Sequence, residues 1–419
     1  MRPLLLHLRI SPLRWVVVPL IALDIAVLLL RSRFWIGIWP ETGAAAQVPA
    51  YFLSIIAAGA AAWAAGAKAR NNLEEQLAAG AASAPKTDAH RLAATAVLLM
   101  IPYLAGQAVA FGYTVRAAPP GLALWSGYLL MGVVVMLLAT AWGWAIGRYL
   151  SAAYAALVAL LSWIIILFYL AQGAGLSVTS GPPWVDVDLR AVSLRLAAAL
   201  LLIVAVIWLP GRHTPARARW AGLVPAGAAV TVLAVIGVTP VLADRPVPPD
   251  LHCVDGPVEM CLWPEHALYE PIVRQVSDRV GTLPADFVLP ARLNEYGIDR
   301  FAYEEGGETA VQLEGGFDIS EGSKWSVALG VADSVVAHTL RTCDRQAIAQ
   351  AEDYSSEALA RWLEGYLAGE GTRDYRTSAV PTEIQEAWTL AAEVSQRPAS
   401  AQLDWARQQV GALKDRYCG

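Results

Sequence analysis

Residues 122–146 read LALWSGYLLMGVVVMLLATAWGWAI, without a charged side chain or a proline. A helix rises about 1.5 Å per residue, so a run of this length covers the ~30 Å hydrocarbon core of a bilayer. Lipid offers no water to backbone N–H and C=O groups, and a helix is the form in which one segment satisfies them internally. The stretch therefore sets the class: an α-helical membrane protein. Composition agrees, since 56% of the 419 residues are hydrophobic and only 16% charged, a balance that soluble domains seldom reach.

Six more stretches are comparably apolar: 15–30, 49–67, 92–113, 152–173, 191–209 and 221–242. The first is short and contains Asp24. No small-residue cleavage site follows it, and Arg31-Ser32-Arg33-Phe34-Trp35 reads as an interface, which argues against a removed signal. Ahead of it, residues 1–14 mix leucines with His7, Arg9 and Arg14. That pattern suits an amphipathic helix in the cytoplasmic interface, or a plain basic flank.

Charge divides the chain near Ala243. Residues 1–243 hold 16 basic side chains and seven carboxylates, whereas the remainder holds 15 basic side chains and 29 carboxylates. All four cysteines, Cys253, Cys261, Cys343 and Cys418, lie in the acidic part. An even number confined to one polar domain suggests two disulfides and an oxidising compartment. Three pairings are open; the short CVDGPVEMC turn favours Cys253–Cys261, with Cys343–Cys418 as the second bridge. With the N-terminus in the cytoplasm, the inner segments carry eleven Lys and Arg and the outer ones five. The positive-inside bias thus selects that orientation, and seven crossings then place the acidic domain outside. Arginine far outnumbers lysine and alanine is abundant, which points to a GC-rich bacterial genome and hence to a bacterial cell membrane.

Between the second and third spans, GAASAPKT (residues 80–87) is one residue away from a phosphate-binding loop. Pro85 replaces the glycine before the lysine, and proline has no N–H to offer a phosphate. The preceding NNLEEQLAA has helical character, so the chain is expected to bind no nucleotide itself. In that helix Leu73 and Leu77 share one face, Glu74 and Glu75 flank it, and Gly80 ends it. It reads as a docking knob for a soluble partner or as a solvated loop helix.

This arrangement resembles the ABC-2 type permeases, the membrane subunits of a class of ATP-binding-cassette exporters. The matching residues are Lys68, Arg70, Asn71, Asn72, Leu73, Glu74, Glu75 and Leu77, followed by Lys86 and Arg91, and the resemblance covers roughly residues 1–210. It implies an interfacial helix over 1–14, a six-span domain over 15–210, and ATPase coupling through Arg70, Asn72, Leu73, Glu74, Glu75 and Leu77. It further implies a homo- or heterodimer of permease subunits bound to cytoplasmic ATPase chains. ATP and magnesium would sit on the partner, with no cofactor in this chain and no nucleic-acid partner. A seventh span over 221–243 and an extracytoplasmic, mainly helical α+β domain over 250–419 are additions to that plan.

Three polar side chains fall within the predicted spans: Asp24, Gln107 and Gln172. Ionisable groups at membrane depth usually face a cavity or a partner. Asp24 fits a translocation path, a subunit interface, or a neutral acid hydrogen-bonded to a neighbouring helix. Hydrogen bonds between helices suffice for the glutamines, and the small residues of AAGAAAWAAGA (57–67) permit close helix packing.

In the acidic domain, CVDGPVEMCLW suggests a hairpin turning at Asp255-Gly256. PEHALYEPIVRQVSDRVG suggests a helix opened by Pro264, and ADFVLPARL and ETAVQLEGG suggest strands. Helices are expected over 325–340, 355–367, 381–395 and 399–414. His338 lacks the Glu and second His of a zinc-peptidase helix, and no G-x-S-x-G elbow occurs. Ser326, Asp333 and His338 make a triad only on paper, so no catalytic or metal residue is expected. The alternatives to an exporter subunit are a membrane-anchored extracytoplasmic binding or receptor module, or a membrane-bound hydrolase.

Overall fold

The computed structural model describes residues 2–30, 32, 34–67, 84–150, 154–173, 181–208, 227, 240–299, 315–344, 354–371 and 382–418. The chain is mostly helical, with two small sheets, and divides into Met1–Arg245 and Pro246–Gly419. The division falls inside the proline-rich DRPVPPD tether.

The first unit opens with α1 (Arg2–Ile10) and α2 (Arg14–Leu30), bent 72° from each other. Helices α3 (Trp39–Ala45) and α4 (Gln47–Ala65) follow almost continuously. Then come α5 (Ala84–Thr114), α6 (Leu122–Leu150), α7 (Ala155–Gly173), strand β1 (Val185–Val187), α8 (Leu189–Trp208) and strand β2 (Leu242–Asp244). Among the described residues four helical stretches are long and apolar enough to cross a membrane: Trp39–Ala65, Pro85–Ala117, Leu122–Leu150 and Leu189–Trp208. The bent pair α1–α2 makes a fifth if counted as one span, and α7 contains a shorter apolar helix, Ala155–Phe168. The chain is thus a membrane protein.

Two ends can be told apart from contacts within this unit. At one end Trp39 Nε1 donates to Pro119 O (2.9 Å), Thr42 Oγ1 meets Thr114 Oγ1 (2.7 Å), and Trp39, Phe111 and Trp125 pack ring against ring. Trp35 Nε1 reaches Leu28 O at the finish of α2 (3.2 Å), and Val187 of β1 covers Gly127 near the start of α6. At the other end Arg91 of α5 donates to Ala64 O of α4 (2.6 Å), and Arg148 of α6 donates to Ile207 O of α8 (3.1 Å). Trp163 of α7 donates to Ser54 Oγ (3.0 Å) while Ala156 and Leu160 lie beside Gly59, so α7 runs opposite to α4. Helices α2, α5 and α7 therefore run towards the tryptophan-rich end, and α4, α6 and α8 run away from it.

Strand β2 pairs antiparallel with β1 in the register Val185↔Asp244 to Val187↔Leu242, and Asp188 N donates to Val241 O (2.9 Å). Residue 242 thus lies beside the start of α8. The seventh predicted span needs correction at its finish. Residues 242–244 are strand rather than helix because the backbone pairs with β1; residues 209–226 and 228–239 lie outside the described ones. Starts differ as well: α5 begins eight residues before the predicted span because the polar turn 84–91 stays helical. Arg14, expected in the interfacial segment, opens α2.

The helices pack around Leu53, Leu99, Tyr103, Met131, Val135 and Val192. Helices α4 and α6 cross most closely, where a Cβ on Gly143 or Gly147 would strike the Ala58 or Ala62 backbone. Small residues four apart on both helices allow that approach, and dispersion rather than hydrophobic exclusion rewards it in lipid.

The second unit contains a sheet of order β3 (His252–Val254), β4 (Glu259–Leu262), β5 (Arg292–Glu295), β6 (Gly316–Phe317). Strands β3 and β4 form the antiparallel hairpin expected at Asp255-Gly256; β4, β5 and β6 are parallel. A 3₁₀ turn (Pro264–Tyr269) and α9 (Glu270–Val280) connect β4 to β5, and Pro264 and Pro271 each fill an N-terminal position where a missing N–H costs nothing. The expected strand over 285–293 is corrected: Asp286–Leu289 is irregular and pairing begins at Arg292. Helices α10 (Lys324–Thr339), α11 (Ser355–Ala368), α12 (Thr382–Ser395) and α13 (Ala399–Tyr417) complete the unit. They enclose Leu262, Val276, Leu293, Phe317, Val331, Trp362 and Leu363. Cys253–Cys261 joins directly opposed residues of β3 and β4, and Cys343–Cys418 ties the turn after α10 to the finish of α13.

Gly143→Leu is expected to cost at least about 1–3 kcal/mol by overpacking the α4–α6 crossing, whereas Tyr149→Leu, on an exposed position of the same helix, changes little. Thermal unfolding of the two variants in detergent checks this; equal midpoints would show that the crossing is not tight.

Candidate functional site

Side chains that carry chemistry collect in three places. The first lies where α4 ends and α5 begins. Asp88, in the second turn of α5, accepts from Arg148 (3.1 Å) and lies 3.7 Å from Arg91. Arg91 also donates to Ala64 O and lies 5.8 Å from the Trp144 ring centroid. Helix polarity explains the arrangement. The last carbonyls of a helix have no partner within it, and its C-terminus carries partial negative charge. Arg91 and Arg148 supply donors to the finishing turns of α4 and α8, and Asp88 sits near the positive start of α5. The expected coupling residues Arg70, Asn72, Leu73, Glu74, Glu75 and Leu77 lie outside the described residues, but both ends of their segment are anchored here. Sequence reading passed over Asp88. A carboxylate in a basic flank, two residues past Lys86, was the available signal. Pro85 belongs to the first turn of α5, where it serves as a helix opener.

The second place is inside the bundle. Of α2, only Leu20, Asp24 and Leu28 are buried, one stripe at i, i+4 and i+8. Asp24 lies against Gly106 of α5 so closely that a Cβ there would overlap its carboxylate. One residue on, Gln107 Nε2 donates to Tyr103 Oη (3.0 Å) and Gln107 Oε1 accepts from Trp125 Nε1 (3.1 Å). Tyr103 Oη donates to Leu129 O (2.9 Å) and accepts from Gln47 Nε2 (3.3 Å), which also bonds Tyr128 O. Asp24 thus lies against the residue before Gln107 and acts through its charge on the Tyr103 hydroxyl, to which Gln47 and Gln107 both donate; the sequence did not single out Gln47 or Tyr103. Gln172 lies in α7, and its side chain is outside the described residues.

The third place is the carboxyl edge of the parallel strands in the second unit, the edge at which such sheets usually hold ligands. His266 Nδ1 and Glu295 Oε1 are 2.5 Å apart and buried, and Glu295 Oε2 accepts from Trp263 N (2.9 Å). Burial holds the Asp318 carboxyl above its ordinary 3.8, an effect that the His266 side chain partly offsets. The paper triad is not assembled. Ser326 Oγ donates to Ser323 O, Asp333 pairs with Arg361, and His338 Nε2 faces Arg341. Among the described residues Cys253, Glu259 and Cys261 lie close enough for a metal, but a disulfide leaves neither sulfur as a thiolate to coordinate one.

Compared with protein-family models, with curated proteins and with solved structures, the chain matches none. Its class rests on its own chemistry: a mostly helical membrane protein with a disulfide-bonded polar unit.

Removing one partner of a buried pair costs about 3 kcal/mol or more. Asp88→Asn should therefore lower stability by that order, and Arg148→Gln in the same background should add little, since the coupling is already lost. A double-mutant cycle on thermal midpoints checks this; additive losses would contradict a shared network. Asp318 has a folded pKa above its unfolded one, so its contribution is complete below pH 3.8 and lost as pH rises through the folded value. Asp318→Asn should thus raise stability at neutral pH and leave it unchanged below 3.8. Thermal unfolding of the second unit within the full chain against pH tests the sign.

Proposed function

We propose that the chain is a permease subunit of an ATP-driven exporter, coupled to a separate cytoplasmic ATPase through the segment between α4 and α5. One observation carries the reading: both ends of that segment are locked by Asp88, Arg91 and Arg148 to the ends of α4, α6 and α8. A force applied to the loop reaches three helices of the bundle at once, as a coupling element requires. Alternation of helix ends supports the topology. Trp208 finishes α8 at the basic end and Leu242 pairs beside its start, so a return crossing between them is part of the proposal. Counting α2, α4, α5, α6, α7, α8 and that return gives an odd number of crossings. Among the described residues Arg2, Arg9, Arg14, Lys86, Arg91 and Arg148 belong to one end, against Arg116, Arg190 and Arg195 at the other, which favours a cytoplasmic basic end. The cysteine-bearing unit then lies outside the cell, where disulfides persist.

In this reading ATP and magnesium sit on the partner, and two permease subunits assemble around the translocated molecule. The second reading, an anchored extracytoplasmic binding module or hydrolase, draws on the His266–Glu295 pair at the carboxyl edge of the sheet. A carboxylate that orients an imidazole through Nδ1 is a recurring element of hydrolytic sites.

Co-expression with candidate ATPase chains decides between them. Wild type should co-purify an ATPase, and the double variant Leu73→Asp, Leu77→Asp should lose it while remaining monodisperse. Undiminished association would overturn the coupling assignment.

A further inference from the structure

The hydrogen-bond ledger of the intramembrane cluster leaves acceptors over on Asp24 and Gln47. Tyr103 Oη is saturated, giving its proton to Leu129 O and accepting from both glutamines. The amide orientations follow from this network. Gln107 must present Oε1 to Trp125 Nε1, and Gln47 must present Nε2 to Tyr103 and to Tyr128 O. Gln47 Oε1 is thereby turned away, and it accepts no hydrogen bond among the described residues. Neither does Asp24 Oδ1. Both side chains are inside the bundle, with 2% of Asp24 and 0% of Gln47 exposed. Tyr128 Oη is similarly unpartnered and buried. The atoms left over on Asp24 and Gln47 are acceptors, and that on Tyr128 is a hydroxyl that can donate or accept. Among the described residues no lysine, arginine or histidine pairs with Asp24; the titratable group that interacts with it is the Tyr103 hydroxyl, on which Tyr51 also acts.

Unpaired acceptors at membrane depth cost several kcal/mol each, and ionisable residues there commonly mark ion pathways. We propose that Asp24 and Gln47, framed by Tyr103 and Gln107, form an intramembrane binding site for an alkali-metal cation. Oxygen donors suit hard cations. One carboxylate balances one positive charge, whereas a divalent ion would leave an excess charge in lipid. Gly106 lets the carboxylate seat against α5, since any side chain there would take the space that Asp24 occupies. The proposal does not rest on ATPase coupling, because it follows from the interior of the bundle alone.

Dicyclohexylcarbodiimide, a hydrophobic reagent for membrane-embedded carboxyls, tests it on the full-length protein in detergent at fixed pH. Mass spectrometry should locate an adduct on Asp24 in choline chloride, absent from Asp24→Asn. Replacing choline by sodium or potassium should slow the reaction by 1 + [cation]/Kd, about tenfold at ten times Kd. Gln47→Leu keeps the carboxyl but removes the second oxygen, so labelling should persist with the cation effect weakened. Equal rates in choline, sodium and potassium would overturn the proposal, as would no adduct at Asp24 on monodisperse protein.

Discussion

Pairing of Val185–Val187 with Leu242–Asp244 is the constraint on which the reading of the whole chain turns. A strand needs a partner for its backbone groups, and β2 finds it next to the start of α8 rather than at its finish. That contact puts Leu242–Asp244 at the tryptophan-rich end of the bundle. The remaining contacts, from Trp39 with Pro119 to Arg148 with Ile207, sort the helix ends into two sets. Without the ribbon those sets would not include Leu242–Asp244.

The two polar sites in the first unit obey the same rule with opposite outcomes. Lipid penalises any unmatched charge or donor. At the basic end opposite charges and helix termini meet, so Asp88, Arg91 and Arg148 hold four helices together. In the interior the same accounting leaves acceptors over at Asp24 and Gln47. Opposite charges meet at the basic end, while among the described residues no cation faces the acceptors of the interior. The bundle thus combines a fixed end with a receptive middle.

Much of the fold was legible because long apolar runs and turn residues act locally. The run 122–146 became α6, and Cys253 and Cys261 became opposed strand residues across the Asp255-Gly256 turn. Helices α10 to α13 lie within a few residues of their expected ranges, since their periodic apolar faces and flanking Gly, Ser and Pro are local signals. What sequence could not give was partnership. Residue 242 reads as the end of a span until β1 is seen to pair with it. Arg292–Glu295 carries no alternation of apolar and polar residues and becomes a strand because β4 and β6 flank it. Asp24 was visible as an odd carboxylate, but Gly106, against which it lies, is distant in sequence and unremarkable alone. His266 and Glu295 likewise meet only through the parallel sheet, which places the ends of β4 and β5 side by side.

The most direct test is cysteine accessibility in intact cells, using a membrane-impermeant maleimide on single substitutions at three exposed positions. Ala118 lies at the tryptophan-rich end, Ala243 in the ribbon, and Lys86 at the basic end. The pairing of β1 with β2 predicts that Ala118→Cys and Ala243→Cys react in intact cells and that Lys86→Cys reacts only after permeabilisation. Labelling of Ala118→Cys and Ala243→Cys from opposite faces of the membrane would contradict it.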